Sequence, residues 1–254
     1  MKLQVLGCSG GIGEGLHTTT YAVDQDILID AGTGIIALES SALVQIDHIF
    51  VTHSHLDHVA GIPLLADTTG QARQQPITVY GIRETLQALH QHLFNDLLWP
   101  DFTRIPPDRP FLRFQPVAIG ETLTLSQGRR ITPIPAQHTV PAVGYWLDSG
   151  KHSLVYSGDT KGCPEFWKTV GDISNLSHLI IENSFRNREI ELARISQHLC
   201  PQLLEIELKH LKHPAEIWIT HLKPSEIETI VAELAQISSP APLKPLWQGQ
   251  TIEF

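Results

Sequence analysis

Cysteine is scarce and scattered in this chain. Only Cys8, Cys163 and Cys200 occur among 254 residues, and no CxxC pair is present. Neither a disulfide framework nor a thiolate zinc site is therefore expected. Long apolar runs are missing as well. None reaches the ~18 residues of a membrane helix, and the opening MKLQVLGCSGGIGEG has no apolar stretch of a secretory signal. A reducing, cytoplasmic setting away from membranes is expected. Cations are few: 18 Lys and Arg against 27 Asp and Glu leave a net charge of −9. That balance disfavours sequence-independent nucleic-acid binding, which needs clustered positive charge. Apolar residues at 42% and charged residues at 18% exclude a disordered chain. At this length one domain over residues 1–254 is expected, with a large core and no need of staples.

What the chain does have is histidine, 14 residues, and their placement matters. Short β-type runs at Lys2–Leu6, Thr19–Val23, Asp26–Asp30 and Ile46–Thr52 fill the first fifth. Further strands are expected at Thr78–Tyr80, Phe111–Pro116, Glu121–Leu125, Arg130–Ala136, Gly144–Leu147, Ser153–Tyr156, Leu179–Ile181 and Glu216–Thr220. Helices are expected from Ala60, over Arg83–Leu97, near Glu189–Gln197, after Pro201, and over Ser225–Ile237, where Ser225 and Glu228 are spaced as a capping box. Strands first with helices interspersed, in two similar halves, suit two sheets packed face to face with helices outside.

Directly after the Ile46–Thr52 strand stands His53-Ser54-His55-Leu56-Asp57-His58. Chance would produce such a match in a chain of this composition with a probability of about 0.002. On an extended segment residues i and i+2 point the same way, so His53 and His55 can reach one ion together. Asp57 and His58 lie past a bend and can reach a second point nearby. Imidazole and carboxylate without thiolate suit Zn, Mn or Fe. Six residues cannot close two coordination shells. Three further ligand types follow β-rich runs: His138, Asp159 and His221.

This ordered set, together with Asp30 closing the DILID strand, resembles the metallo-β-lactamase superfamily. The resemblance implies an α/β, four-layer αββα sandwich with a two-metal site at one edge of two mixed sheets. It implies that His53, His55 and His138 bind the first metal, that Asp57, His58 and His221 bind the second, and that Asp159 bridges them. Two divalent ions, zinc foremost, would then be the cofactors. Within the superfamily, His53–Gly61, Phe94–Pro100, Ser157-Gly158-Asp159, Ile181–Ser184, His198–Pro201 and Ile219–Pro224 look most like the class II cyclic-nucleotide phosphodiesterases. After Gly61 the run Ile62–Asp67 departs from that family's signature. The family implies hydrolysis of a 3′,5′-cyclic nucleotide, cyclic AMP foremost, to the 5′-monophosphate by a hydroxide bridging the metals. Asp57, Glu182 and His198 are the catalytic candidates beside the ligands, and Asn95 and Trp99 the candidates for a base pocket.

Each has a plainer reading. Glu182 could pair with Arg186 or Arg188, His198 could merely flank a helix, and Trp99 could be core packing. The alternatives for the whole chain are a transfer-RNA 3′-processing-like nuclease and a non-catalytic nucleotide-binding module on the same fold. The nuclease characteristically has His where this chain has Ile181. A small-molecule cyclic nucleotide, and a second copy of the chain in a homodimer, are the expected partners. The Gly7–Gly15 loop lacks both the P-loop ending and G-x-G-x-x-G, so a tight turn region near the site is expected there.

Overall fold

The computed structural model describes residues 1–254 and contains two seven-stranded sheets. The first sheet is built from β1 (Lys2–Gly7), β2 (Thr20–Val23), β3 (Ile27–Ile29), β4 (His48–Phe50), β5 (Ile77–Gly81) and β6 (Leu112–Pro116). The second takes β7 (Leu123–Thr124), β8 (Arg130–Pro135), β9 (Val143–Asp148), β10 (Ser153–Tyr156), β11 (Leu176–Glu182), β12 (Glu216–Thr220) and β13 (Leu243–Pro245). The last strand, β14 (Thr251–Glu253), returns to the first sheet and pairs antiparallel with β1. The helices are α1 (Ser40–Leu43), α2 (Leu56–Val59), α3 (Gly61–Thr69), α4 (Arg83–His92), α5 (Pro164–Val170), α6 (Ile190–Ser196), α7 (Pro201–Leu208) and α8 (Ile227–Leu234).

Both sheets are mixed. Strands β3 to β6 run parallel, as do β10 to β13, while β1–β2–β3 and β7–β8–β9–β10 pair antiparallel. Three cores follow, one for each interface of four layers. Leu3, Tyr21, Ile29 and Phe50 meet Tyr145, Leu154 and Ile180 between the sheets. The outer face of the first sheet packs Leu28, Ile49 and Val79 against Val59, Ile62 and Leu65 of α2 and α3 and Leu86 and Leu89 of α4. The outer face of the second packs Val155, Leu179 and Ile217 against Phe166, Leu204 and Ile230 of α5, α7 and α8. Strands β2, β3, β5 and β10 are buried at every residue. That is why they read as continuous apolar runs without alternation. Fourteen strands in two packed sheets with flanking helices give the four-layer αββα architecture expected from the motifs.

Three local expectations fail. The helix expected over Arg83–Leu97 stops at His92, because Leu93 and Phe94 turn into the core and Asp96 takes a left-handed backbone (φ 63°). The Ser225–Glu228 capping box does not form. Ser225 lies inside a 3₁₀ turn, Pro224–Glu226, and α8 starts at Ile227 with no side-chain cap. The strand expected at Glu121–Leu125 shrinks to two residues, since only Leu123 and Thr124 find a partner in β8.

Candidate metal centre

Parallel strands end at the same edge of a sheet, and side chains just past those ends share a crevice. Here β3 leads to Asp30, β4 to His53–His58, β8 to His138, β10 to Asp159, β11 to Glu182 and β12 to His221. Two of these residues, Asp30 (φ 55°) and His221 (φ 65°), have left-handed backbones. Non-glycine residues adopt that conformation only where surroundings over-determine it. At Asp30 those surroundings are its carboxylate bonds to Thr52 N at 2.8 Å and Thr52 Oγ1 at 2.9 Å. At His221 the backbone N–H donates to the Cys8 carbonyl at 2.8 Å.

The chain past β4 stays extended through His55, which precedes α2 with φ −66° and ψ 145°. His53 and His55 therefore share a side, with His53 Nε2 and His55 Nδ1 3.1 Å apart. His138 Nε2 joins them at 3.2 Å from His55 Nδ1. Turn α2 then carries Asp57 and His58 to a second cluster. There Asp159 Oδ2 lies 3.3 Å from His58 Nε2 and 3.2 Å from His221 Nε2, and Asp57 Oδ2 lies 3.3 Å from His221 Nε2. Asp159 Oδ2 is also 3.8 Å from His53 Nε2, so this carboxylate stands between the two groups. All seven residues assigned from sequence as ligands are thus brought together, in two clusters of His53, His55 and His138 and of Asp57, His58, Asp159 and His221.

The far side of nearly every ring is held. His58 Nδ1 donates to Asp30 Oδ2 at 2.7 Å, and His138 Nδ1 donates to the Gln197 carbonyl at 3.1 Å. His53 Nδ1 meets Thr52 Oγ1 at 3.0 Å, and His221 Nδ1 meets Ser184 Oγ at 2.9 Å. With the proton on the outer nitrogen, the inner one is a lone pair. These ring nitrogens and carboxylate oxygens crowd within hydrogen-bond distance of one another. His58 Nε2 and Asp159 Oδ1 are buried and have no hydrogen-bond partner at all. Such a donor set is mutually repulsive on its own and is satisfied by divalent cations. The residues present fit two such ions.

The electrostatics agree. Burial, reinforced by the neighbouring His58, holds His53 well below the ordinary histidine range, and burial also lowers His55 and His138. Burial would lower His58 too, but Asp159 and Asp30 on either side carry it well above. Burial opposes ionisation of Asp159, yet His221, His58 and His53 bring it far below the carboxylate range. Asp57 moves the same way: its His221 hydrogen bond and His58 outweigh burial. The lowered rings of His53, His55 and His138 favour the neutral form, and the lowered Asp57 and Asp159 the ionised one, as metal binding requires.

Glu182 and His198 form a second unit behind the ligands. Glu182 is fully buried. Its carboxylate accepts from His198 Nδ1 at 2.7 Å, Ser184 Oγ at 3.1 Å, Thr160 N at 3.1 Å and Leu199 N at 3.3 Å. Neither Arg186 nor Arg188 is its partner, since Arg186 pairs with Glu226 at 2.7 Å and Glu189 at 3.4 Å. The His198 ring stacks on His221 at 5.3 Å and stands edge-on to His138 at 4.8 Å. One ligating atom from each of His138, Asp159 and His198 falls within 4.8 Å of the others. Burial lowers His198, but the Glu182 charge and hydrogen bond raise it above the ordinary histidine range.

Asn95 and Trp99 do not join the site. The Asn95 amide is taken up locally, accepting from Leu97 N at 3.1 Å and Leu98 N at 2.8 Å and donating to the Gln91 carbonyl at 3.1 Å. Trp99 packs against the core beneath α2, α3 and α4. A short side chain after a helix end closes a turn more readily than it reaches across a cleft. The large cleft beside the metal ligands, about 890 Å³, is lined instead by residues such as Ile82, Arg83, Val117, His138, Thr139 and Pro141. The sequence reading also missed Thr52, Gln197 and Ser184 as the partners that orient ligand rings. Ser184 closes the family-like Ile181–Ser184 stretch. Gln197 contributes only its backbone carbonyl, from a left-handed residue (φ 56°), and left no side-chain signal.

The Gly7–Gly15 loop lies against the centre, as expected. Gly10 N donates to the Leu222 carbonyl at 3.0 Å. A Cβ on Gly10 would stand 2.5 Å from the His221 carbonyl oxygen and 2.7 Å from its ring, so only glycine lets the loop approach.

Comparison with known proteins follows the same lines. A family model described as the beta-lactamase superfamily domain matches residues 25–235. Among curated proteins, the chain is 25% identical to the probable 3′,5′-cyclic-nucleotide phosphodiesterase of Yersinia pestis, over 88% of this chain and 78% of that one. It is 26% identical to the 3′,5′-cyclic-nucleotide phosphodiesterase of Schizosaccharomyces pombe, over 83% and 70%. A shorter match, 34% identical over 47% of this chain and 36% of the other, is to ribonuclease Z of Thermococcus kodakarensis. Among solved structures, unliganded yeast PDE1 superimposes with a TM-score of 0.85 at 19% identity over 98% of both chains. The short form of human tRNase Z gives 0.70 at 17% identity, over 100% of this chain and 99% of that one.

Proposed function

The chain belongs to the metallo-β-lactamase superfamily and is a hydrolase of that fold, and from that premise we propose that it hydrolyses a 3′,5′-cyclic nucleotide, cyclic AMP first, to the 5′-monophosphate. The observation that carries this reading is the extent of the match. The likeness to the Yersinia cyclic-nucleotide phosphodiesterase runs through 88% of the chain, whereas the ribonuclease Z match at 34% identity covers 47% and others of that kind reach 58%. The second reading, an RNA-processing nuclease, is favoured by the higher identity of that shorter match. It is opposed by Ile181 at the position of that enzyme's histidine and by the net charge of −9.

In this reading His53, His55 and His138 hold one divalent cation, Asp57, His58 and His221 a second, and Asp159 serves both. Zinc is the first candidate for each. Bound there, the ions supply positive charge for phosphoryl oxygens and lower the pKa of water at the site. The rest is done by the chain. Hydrolysis adds water at phosphorus and breaks the bond to the 3′-oxygen, so one proton must leave the attacking water and one must reach the leaving oxygen. Asp57, whose side chain is 30% exposed and the most open carboxylate of the set, accepts the first. His198 delivers the second. Its Nδ1 is fixed by Glu182, and one of its ring nitrogens lies within 4.8 Å of the ligating atoms of His138 and Asp159. Asp30, Thr52, Ser184 and Gln197 keep the ligand rings turned inward throughout.

The test is a hydrolysis assay of purified protein with cyclic AMP, with and without added Zn or Mn, and with His55→Ala as control. Metal-dependent formation of 5′-AMP that the variant loses is the expected result. Cleavage of bis(p-nitrophenyl) phosphate without cyclic AMP turnover overturns the cyclic-nucleotide reading in favour of another phosphodiester. Two bound metals by elemental analysis and no turnover of any diester favour a binding module.

A further inference from the structure

Two cavities lie beside histidines of this centre. One is the cleft beside His138; the other, about 320 Å³, opens beside His198. Both lie in the ~300–1,000 Å³ range of small-molecule sites, and the two histidine rings that face them are 4.8 Å apart. Their charges differ. In the cleft beside His138, Arg83 is offset by Glu84 and Glu121. The cavity beside His198 is lined by Lys161 and Arg194, and its single acid, Glu207, is engaged by the Trp167 indole at 2.7 Å. Arg194 is itself paired with Glu191. Lys161 is half-buried and forms no ion pair.

Lys161 is also fixed in place relative to the chemistry. It follows Asp159 by two residues. Its backbone N–H donates to the Gln137 carbonyl at 2.9 Å, next to His138, and its own carbonyl accepts from Thr160 Oγ1 at 2.7 Å. Thr160 N in turn donates to Glu182. One backbone segment thus ties this lysine to the bridging carboxylate, to a ligand loop and to the Glu182–His198 unit. A chain of net charge −9 repels anions at long range. An unpaired ammonium lining the cavity beside His198 is where an anion would be drawn in.

We propose that Lys161 is a phosphate-binding residue of this site, holding a non-bridging phosphoryl oxygen of substrate and product through the cavity beside His198. Diester hydrolysis turns a monoanion into a monoester that carries up to two negative charges. A cation held beside the proton donor, with no partner of its own, binds that added charge more strongly than the ground-state diester. The inference rests on the phosphodiesterase reading but not on cyclic AMP as the substrate.

The experiment compares the metal-loaded parent chain with Lys161→Ala and Lys161→Arg. Calorimetry measures binding of inorganic phosphate and of 5′-AMP, and kinetics follow cyclic AMP and bis(p-nitrophenyl) phosphate. Lys161→Ala should weaken phosphate and 5′-AMP binding about tenfold and lower kcat/KM on any diester turned over by about 10- to 100-fold. Two metals per chain and the thermal midpoint should be unchanged, and Lys161→Arg should restore most of the binding. Unchanged phosphate binding in Lys161→Ala overturns the proposal, and so does loss of metal along with it, which would make the lysine a support of the ligand loop. If the parent cleaves only the generic diester, the cyclic-nucleotide reading fails while the Lys161 result stands on phosphate binding.

Discussion

Glu182 shows what burial does to a residue's role. A fully buried carboxylate cannot meet substrate, so its sequence-level candidacy as an acid becomes a positioning role: it accepts four hydrogen bonds, one from His198. Glu182→Gln keeps the volume but exchanges one acceptor oxygen for a donor that confronts either Thr160 N–H and His198 N–H or Leu199 N–H. The expected outcome is a fall in kcat of about 100-fold or more with little change in KM, since orientation of a proton donor is worth ~10²–10⁴. Elemental analysis should still find two metals per chain, because no ligand is touched. A variant that loses its metals instead would mean that Glu182 chiefly supports the ligand rings through Ser184.

At the level of elements, the centre is made by strand ends and by the turns that can approach them. The loop after β1 lies on His221, the residue that follows β12, and Gly10 is the point of contact. Gly10→Ala should therefore lower the thermal midpoint by several degrees, in line with ~1–3 kcal/mol for overpacking. It should also weaken metal binding at the cluster that contains His221, read by chelator competition. Gly11→Ala, whose Cβ would meet only Pro224 at 3.3 Å, should change neither. Element boundaries were the least legible part of the sequence. The amphipathic spacing of Leu86 and Leu89 located α4. Its end was decided by Leu93 and Phe94 entering the core, a tertiary effect that no local propensity encodes.

For the whole molecule, the edge away from the metals is closed by an ion pair between the sheets. Arg129, 5% exposed, grips Asp26 at 2.5 and 2.8 Å and reaches Asp24 at 3.3 Å, joining the start of β8 to the β2–β3 hairpin. Hydrogen bonds from Arg129, opposed by burial, hold the Asp26 carboxyl below the usual carboxylate range. A depressed carboxyl contributes stability above its unfolded value of ~3.9, and that contribution is lost as pH falls through the folded value. Arg129→Ala should cost about 2–3 kcal/mol at pH 7, where it leaves partly buried carboxylates without their cation. The gap between variant and parent in urea denaturation should narrow as pH drops below ~4. A gap independent of pH would assign the loss to packing rather than charge.

How much was legible follows from how local each feature is. His53-x-His55-x-Asp57-His58 could be read directly, because a strand followed by a bend places four ligands through backbone geometry alone. The order of Asp30, His138, Asp159 and His221 after apolar runs was equally readable, since parallel strands deliver their following residues to one edge. The layered fold followed from the same runs. What needed the folded chain was every relation between segments distant in sequence. Ser184 joining His221 to Glu182 and Gln197 turning His138 are of this kind. So is the meeting of Lys161 with His198 around one cavity. Periodicity and spacing encode where a side chain leaves its own backbone. Only packing of the two sheets sets which partner it meets across 20 to 200 residues of chain, because that distance is closed by burial of the cores and not by any local preference.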